Sequence, residues 1–167
     1  PCFDPGGEYT RMRAELTADP ERNQLSVGDV ARECGRSAGV CLVLSDRKAH
    51  CENLKLLLRR RHGVDAALLT GDLPLPQRRE VLERLRGGGV RVLIATGQLV
   101  GEGFDCPDLS TLFMATPIRF SGRVLQYLGR VLRPAPGKGS ARVFDYVDVN
   151  VETLVKAAQA RQRVYHP

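Results

Sequence analysis

VCLVLSDRKAHCENLKLLLRRRHGVDAALLTG, residues 40–71, decides the fold. VCLVLS (40–45) is a short, nearly all-apolar run, the pattern of a strand buried on both faces. RKAHCENLKLLLRRRHG (47–63) follows as a helix ending at Gly63, and VDAALLTG (64–71) as a second strand. The alternation then repeats. LPQRREVLERLRGGG (75–89) is helical and VRVLIATG (90–97) extended. After a loop through GEGFDCPD (101–108) come LSTLFMATP (109–117, strand) and SGRVLQYLGRVLR (121–133, helix). ARVFDYVD (141–148, strand) and VETLVKAAQARQRVYH (151–166, helix) close the chain. Strands that alternate with helices imply βαβ units, hence an α/β fold with a parallel sheet and helices on both faces.

Upstream of this region the texture differs. Residues 1–37 are polar and charged, and GGEYTRMRAEL (6–16) and DPERNQLSVGDVARECG (19–35) each read as helix. Asp19 is placed to cap the second, with Pro20 at the first helical position and Gly35 at its end. This divides the chain into a helical N-terminal extension, 1–37, and a main domain, 38–167.

The formal charge of +6 fits a polyanionic partner, although many basic domains bind nothing anionic. No apolar run is long enough to span a membrane, and no signal-peptide pattern opens the chain. The missing initiator Met suggests a piece of a longer protein. The five cysteines, with no Cys-x-x-Cys spacing, read as reduced thiols of a cytoplasmic protein. His50 and Cys51 are neighbours on a helix and point apart, which argues against a shared metal; no metal site is expected. The lack of Trp argues against a base-stacking platform.

In a parallel sheet, ligand contacts gather at the carboxyl ends of the strands. There the sequence places Ser45, Asp46 and Arg47, then Thr70 and Gly71, Thr96 and Gly97, and Thr116 and Pro117. Each alone is also ordinary turn chemistry. QYLGRVLRP (126–134) is less ordinary. At about 100° per residue, Arg130 and Arg133 fall about 40° and about −20° from Gln126, with Gly129 on the same flank. Leu125, Leu128 and Leu132 lie opposite. One face is apolar; the other carries two arginines, an amide and a glycine that allows close approach. A solvated face usually mixes Lys with Glu and avoids Gly, whereas Arg fits phosphate with a planar fork. TGQLVGEGFDCPDL (96–109) adds glycines just after a strand, where backbone N–H groups can approach phosphates, and an acidic residue suited to a ribose hydroxyl.

Together these stretches resemble motifs V and VI of the superfamily 2 helicases, in the second RecA-like domain. QYLGRVLRP has the Q-x-x-G-R-x-x-R form of motif VI, and VCLVLSDR stands where motif IV belongs. LLTGDLPLPQRREVLERL resembles the Thr-Gly segment with its following helix. The resemblance covers roughly residues 38–150 and is nearest to the branch of type III restriction subunits and XPB-like DNA translocases. It implies a RecA-like fold, with Arg130 and Arg133 as arginine fingers toward the γ-phosphate of ATP and Gln126 reading that phosphate or the attacking water. Gly103 and Asp105 would lie near the nucleotide. Ser45, Arg47, Thr70, Gly71, Thr96 and Gly97 would hold a nucleic-acid backbone, DNA in preference to RNA. Glu102 replaces a common Arg and is assigned no contact.

Arg59 to His62 fit a helix C-terminus as well as they fit DNA, and the helix-end reading is preferred; Arg78 and Arg79 share the ambiguity. Lys138, in PGKG, lacks the upstream glycine and following hydroxyl of a P-loop. No Walker A, Walker B or Asp-Glu-x-x motif is present. The resemblance therefore implies the C-terminal half of an ATP-dependent enzyme, inactive alone, whose N-terminal RecA-like domain in the same chain grips ATP and Mg²⁺. The rival reading is a non-catalytic nucleic-acid-binding domain derived from the same fold.

Overall fold

Five strands run parallel in one sheet, ordered β2-β3-β1-β4-β5. They are β1 (Val40–Ser45), β2 (Ala67–Leu69), β3 (Val92–Thr96), β4 (Leu109–Met114) and β5 (Arg142–Asp145). The helices are α1 (Pro5–Ala18), α2 (Pro20–Arg36), α3 (Lys48–His62), α4 (Leu75–Arg86) and α5 (Glu152–Tyr165). This computed structural model describes residues 5–96, 106, 108–116, 129, 141–148 and 152–165. The helix expected over 121–133 lies, apart from Gly129, outside the described residues.

The all-apolar reading of β1 is explained by its position at the centre of the sheet. Leu42 and Leu44 point to one face and pack with Leu93, Ala95, Leu112, Met114 and, from α4, Leu85. Cys41 and Val43 point to the other, with Val92, Ile94 and Phe113, and with Leu54 and Leu58 of α3. Successive strand residues alternate sides, so a strand covered on both faces must be apolar throughout. On that second face α2 contributes Val27, Val30 and Cys34 to the same core.

Local signals set the helix ends. Asp19 accepts hydrogen bonds from the backbone N–H groups of Glu21 and Arg22, and Pro20 opens α2. α2 runs one residue past the expected stop at Gly35, ending at Arg36 with Ser37 as its cap. Gly63 ends α3 in the left-handed region, φ 64°, where its N–H reaches the Arg59 and Leu58 carbonyls. β2 is shorter than the sequence pattern suggested, three residues at an edge of the sheet. Gly39 answers a close approach: a Cβ there would stand 2.5 Å from the Cβ of Ser110 and 2.8 Å from the Asp108 carbonyl oxygen. Among the described residues no helix is long and apolar enough to cross a membrane.

Candidate functional site

Strand register brings the expected residues to one edge. Ser45 pairs with Thr96 at the ends of β1 and β3, and Leu69 with Ala95, which sets Thr70 beside Thr96. Leu44 pairs with Met114 and Met114 with Asp145, so Thr116 and residues 146–148 leave the same edge. The chain crosses from one side of β1 to the other between β3 and β4, which is the position where an open parallel sheet forms a crevice.

Several of these groups are already engaged. Ser45 is fully buried; its hydroxyl lies 2.9 Å from Nδ1 of His50 and accepts from the Arg47 N–H at 3.2 Å. His50 Nε2 lies 2.8 Å from Oδ1 of Asn23, whose Nδ2 donates to the Thr17 carbonyl at 2.9 Å. An amide oxygen only accepts, so Nε2 carries the proton and Nδ1 accepts from Ser45. Burial, with the Arg22 and Arg47 charges nearby, lowers the His50 pKa to about 4. The imidazole is therefore neutral near pH 7, and the Ser-His-Asn chain is a sealed strut rather than an exposed nucleophile. It ties the exit of β1 and the start of α3 to the first turn of α2.

A second tie runs from Arg22. Its guanidinium donates to the Ala115 carbonyl at the end of β4, pairs with Asp148 at 3.3 Å, and lies 5.9 Å from the centre of the Tyr146 ring. The Tyr146 hydroxyl donates to Asp29 at 2.9 Å, and burial with that neighbouring carboxylate raises its pKa strongly. Asp46 receives Arg13, and its backbone N–H donates to the Thr116 hydroxyl at 3.0 Å. Thus α1 and α2 clamp the exits of β1, β4 and β5.

On the β2 side, Thr70 is buried and donates to Asp72 at 2.6 Å. Lys48, from the first turn of α3, also pairs with Asp72. Those two hydrogen bonds hold the Asp72 carboxyl down at about 2. Arg78 donates to the Gly71 and Leu73 carbonyls, both at 2.8 Å, and so stiffens the Thr-Gly turn. This gives Arg78 a local structural role. Two groups at the edge remain open: the half-buried Arg47 guanidinium and the Thr96 hydroxyl have no hydrogen bond or ion pair among the described residues.

Gln126, Arg130, Arg133, Gly97, Gly103 and Asp105 lie outside the described residues, as do Pro117 and Lys138. Gly129, between Gln126 and Arg130, is helical and exposed, and a Cβ there would meet nothing within 4 Å. Among the described residues no cluster of three His, Cys, Asp or Glu side chains is placed to hold a metal. Cys51 is buried, which raises its thiol pKa to about 11.

Sequence reasoning missed Arg22 and Asn23. A signal was there: Asn23 sits one and two turns before Val27 and Val30 on the apolar face of α2, where a polar side chain needs a buried partner.

Comparisons with known proteins now bear on this edge. The family described as helicase conserved C-terminal domain matches residues 27–135. Putative helicase 22 of Sulfolobus islandicus filamentous virus is 28% identical over 129 residues, 75% of this chain and 23% of that protein. UvrABC system protein B of Thermosynechococcus vestitus is 29% identical over 156 residues, 89% of this chain and 22% of that protein. The chain thus spans under a quarter of the length of either relative. Among solved structures, the E. coli DEAD-box protein SrmB bound to regulator of ribonuclease activity A superposes with a TM-score of 0.65 at 24% identity. That match covers 86% of this chain and 80% of the SrmB chain.

Proposed function

Because the chain belongs to the helicase conserved C-terminal domain family, we propose that it is the C-terminal RecA-like half of an ATP-dependent superfamily 2 DNA helicase or translocase. Residues 38–167 form that half in this reading, and residues 1–37 lead into it, with α2 packed against its sheet. The observation that carries the reading is the carboxyl edge itself. Register lines up the exits of all five strands there, with Arg47 and Thr96 at its centre and without a hydrogen bond or ion pair among the described residues.

Each half of the site has a distinct task. Arg47, Gly71, Thr96 and Gly97 offer a cation, backbone groups and a hydroxyl to nucleic-acid phosphates, contacts that position a strand without reading its bases. Ser45 and Thr70 act by shaping those turns. Arg130 and Arg133 donate to the γ-phosphoryl oxygens, and Gln126 orients that group or the water beside it. Gly103 and Asp105 lie against the sugar and phosphates. Bound ATP supplies the transferable phosphoryl group, held with Mg²⁺ by the N-terminal RecA-like domain; this half supplies donors to charge that develops as the group leaves.

The test is Arg130→Ala in the full-length protein. Nucleic-acid-stimulated ATP turnover should fall at least about a hundredfold, the scale of losing one transition-state donor. ATP affinity and nucleotide-free DNA affinity should change far less. Arg130→Lys should fail nearly as badly, because an ammonium lacks the planar fork. Turnover that stays intact while DNA binding disappears would place this helix in the nucleic-acid groove and favour the non-catalytic reading. Likeness to a protein named as an ATP-dependent RNA helicase, SrmB of E. coli, makes RNA the second arm: stimulation by RNA but not DNA would overturn the choice of substrate.

A further inference from the structure

At the carboxyl edge most described charges are matched: Arg13 with Asp46, Arg22 with Asp148, Lys48 with Asp72, and Arg161 with Asp145. The opposite edge is different. α3 and α4 each leave a strand's carboxyl end and return, so both end at the amino edge, and they do so on opposite faces of the sheet. The last turn of α3 is Arg59, Arg60, Arg61 and His62; that of α4 carries Arg84 and Arg86. β2 and β3 are neighbours, so the turns 63–66 and 87–91 enter the sheet side by side. Arg91 adds a further exposed guanidinium just before β3.

The acidic groups near these are Asp65, taken by Arg59 at 2.7 Å, Glu80 and Glu83 on α4, and Asp108 just before β4, fewer than the arginines. Arg60, Arg61, Arg84 and Arg86 are exposed and have no ion pair or hydrogen bond among the described residues. Arg91 donates one bond, to the Ser37 carbonyl at 2.8 Å. The helix dipole accounts for part of this, since a cation is favoured in a helix's last turn. It does not account for two helices and a strand start all bringing arginines to one edge.

We propose that this amino edge is a second nucleic-acid surface, on the side of the sheet opposite the carboxyl edge, and that it takes the phosphate backbone of the strand or duplex on which the protein works. The proposal rests on the reading above that the chain acts on nucleic acid. Arginine forks suit phosphate oxygens. No Phe, Tyr or Trp occurs in residues 59–66 or 83–91, so the surface lacks a large aromatic platform for bases and offers chiefly phosphate contacts, which carry no sequence information. A domain with one such surface on each edge would hold two segments of nucleic acid at once, or guide a strand around its flank.

The experiment measures anisotropy of a fluorescein-labelled 30-nucleotide DNA strand and of its duplex, across a salt series, with the purified chain. Arg60→Glu/Arg61→Glu and Arg84→Glu/Arg86→Glu test the amino edge, and Arg47→Glu tests the carboxyl edge. Each amino-edge double variant should weaken binding by about tenfold or more near 0.1 M salt and lower the log–log salt slope by about 1–2. Glu in a last turn opposes the helix dipole, so urea midpoints should fall slightly, while far-UV circular dichroism without urea should match the wild type. Loss with the amino-edge variants but not with Arg47→Glu would support this surface while counting against the carboxyl-edge track. Loss with Arg47→Glu alone would overturn the second surface and leave the track standing. Wild-type affinity in both double variants, with capture of an acidic peptide instead, would assign the edge to a protein partner and also overturn it.

Discussion

Acidification should unfasten α2 from the sheet through His50. The folded chain keeps this imidazole neutral, at a pKa of about 4, because it is buried and faces the Arg22 and Arg47 charges. In the unfolded chain it returns to about 6.5. The unfolded state therefore takes up the proton first as pH falls. The contribution of neutral His50 is intact above the unfolded value, declines below about 6.5, and is gone once pH passes below 4. A difference of about 2.5 pKa units, at 1.36 kcal/mol each, makes the loss roughly 3 kcal/mol by pH 4. The chemistry behind it is specific: a protonated Nδ1 can no longer accept from the Ser45 hydroxyl. Carboxylates titrate in the same window, so the comparison is with His50→Gln, whose amide can still bridge Ser45 and Asn23 but cannot titrate. Far-UV circular dichroism follows urea unfolding at pH 7.5, 6.5, 5.5, 4.5 and 4, since the chain has no Trp to report by fluorescence. The stability difference between wild type and variant should shift by about 3 kcal/mol against the wild type over that range. Two profiles that run parallel from pH 7.5 to 4 would refute the assignment of a buried, neutral His50.

Arg161→Ala should destabilise the domain by about 3 kcal/mol, because it removes two bonds of 2.7 and 2.8 Å from the Asp145 carboxylate in a setting largely closed to water. A thermal melt within a degree of wild type would contradict this. Gly39→Ala should cost about 1–3 kcal/mol, since the new Cβ meets Ser110 and the Asp108 carbonyl and β1 must shift away from β4. The unfolding midpoint in urea measures it, and an unchanged midpoint would mean the two strands part without cost.

The local pattern of the chain was enough to determine its class. An all-apolar β1, Pro and Asp at the start of α2 and Gly at the end of α3 act within a few residues of one another, so their effects are legible without a fold. The same pattern put Ser45, Arg47, Thr70 and Thr96 after strands, hence at one edge of any parallel sheet built from them. It was silent on strand order, which depends on how whole strands compete for neighbours. It was equally silent on which polar groups face inward. Ser45 and Thr70 look alike to Thr96 in sequence, yet the first two spend their hydroxyls on His50 and Asp72, while Thr96 has no such partner among the described residues. Asn23 meets His50 across 27 residues and Arg22 meets Asp148 across 126. Pairings of that separation form only when packing has removed water from both partners, because a polar group that can still bond to solvent gains little from a distant one. The amino-edge arginines belong to the same class. Each reads as an ordinary helix end, and only the return of α3 and α4 to adjacent strands brings their last turns to the same edge of the sheet.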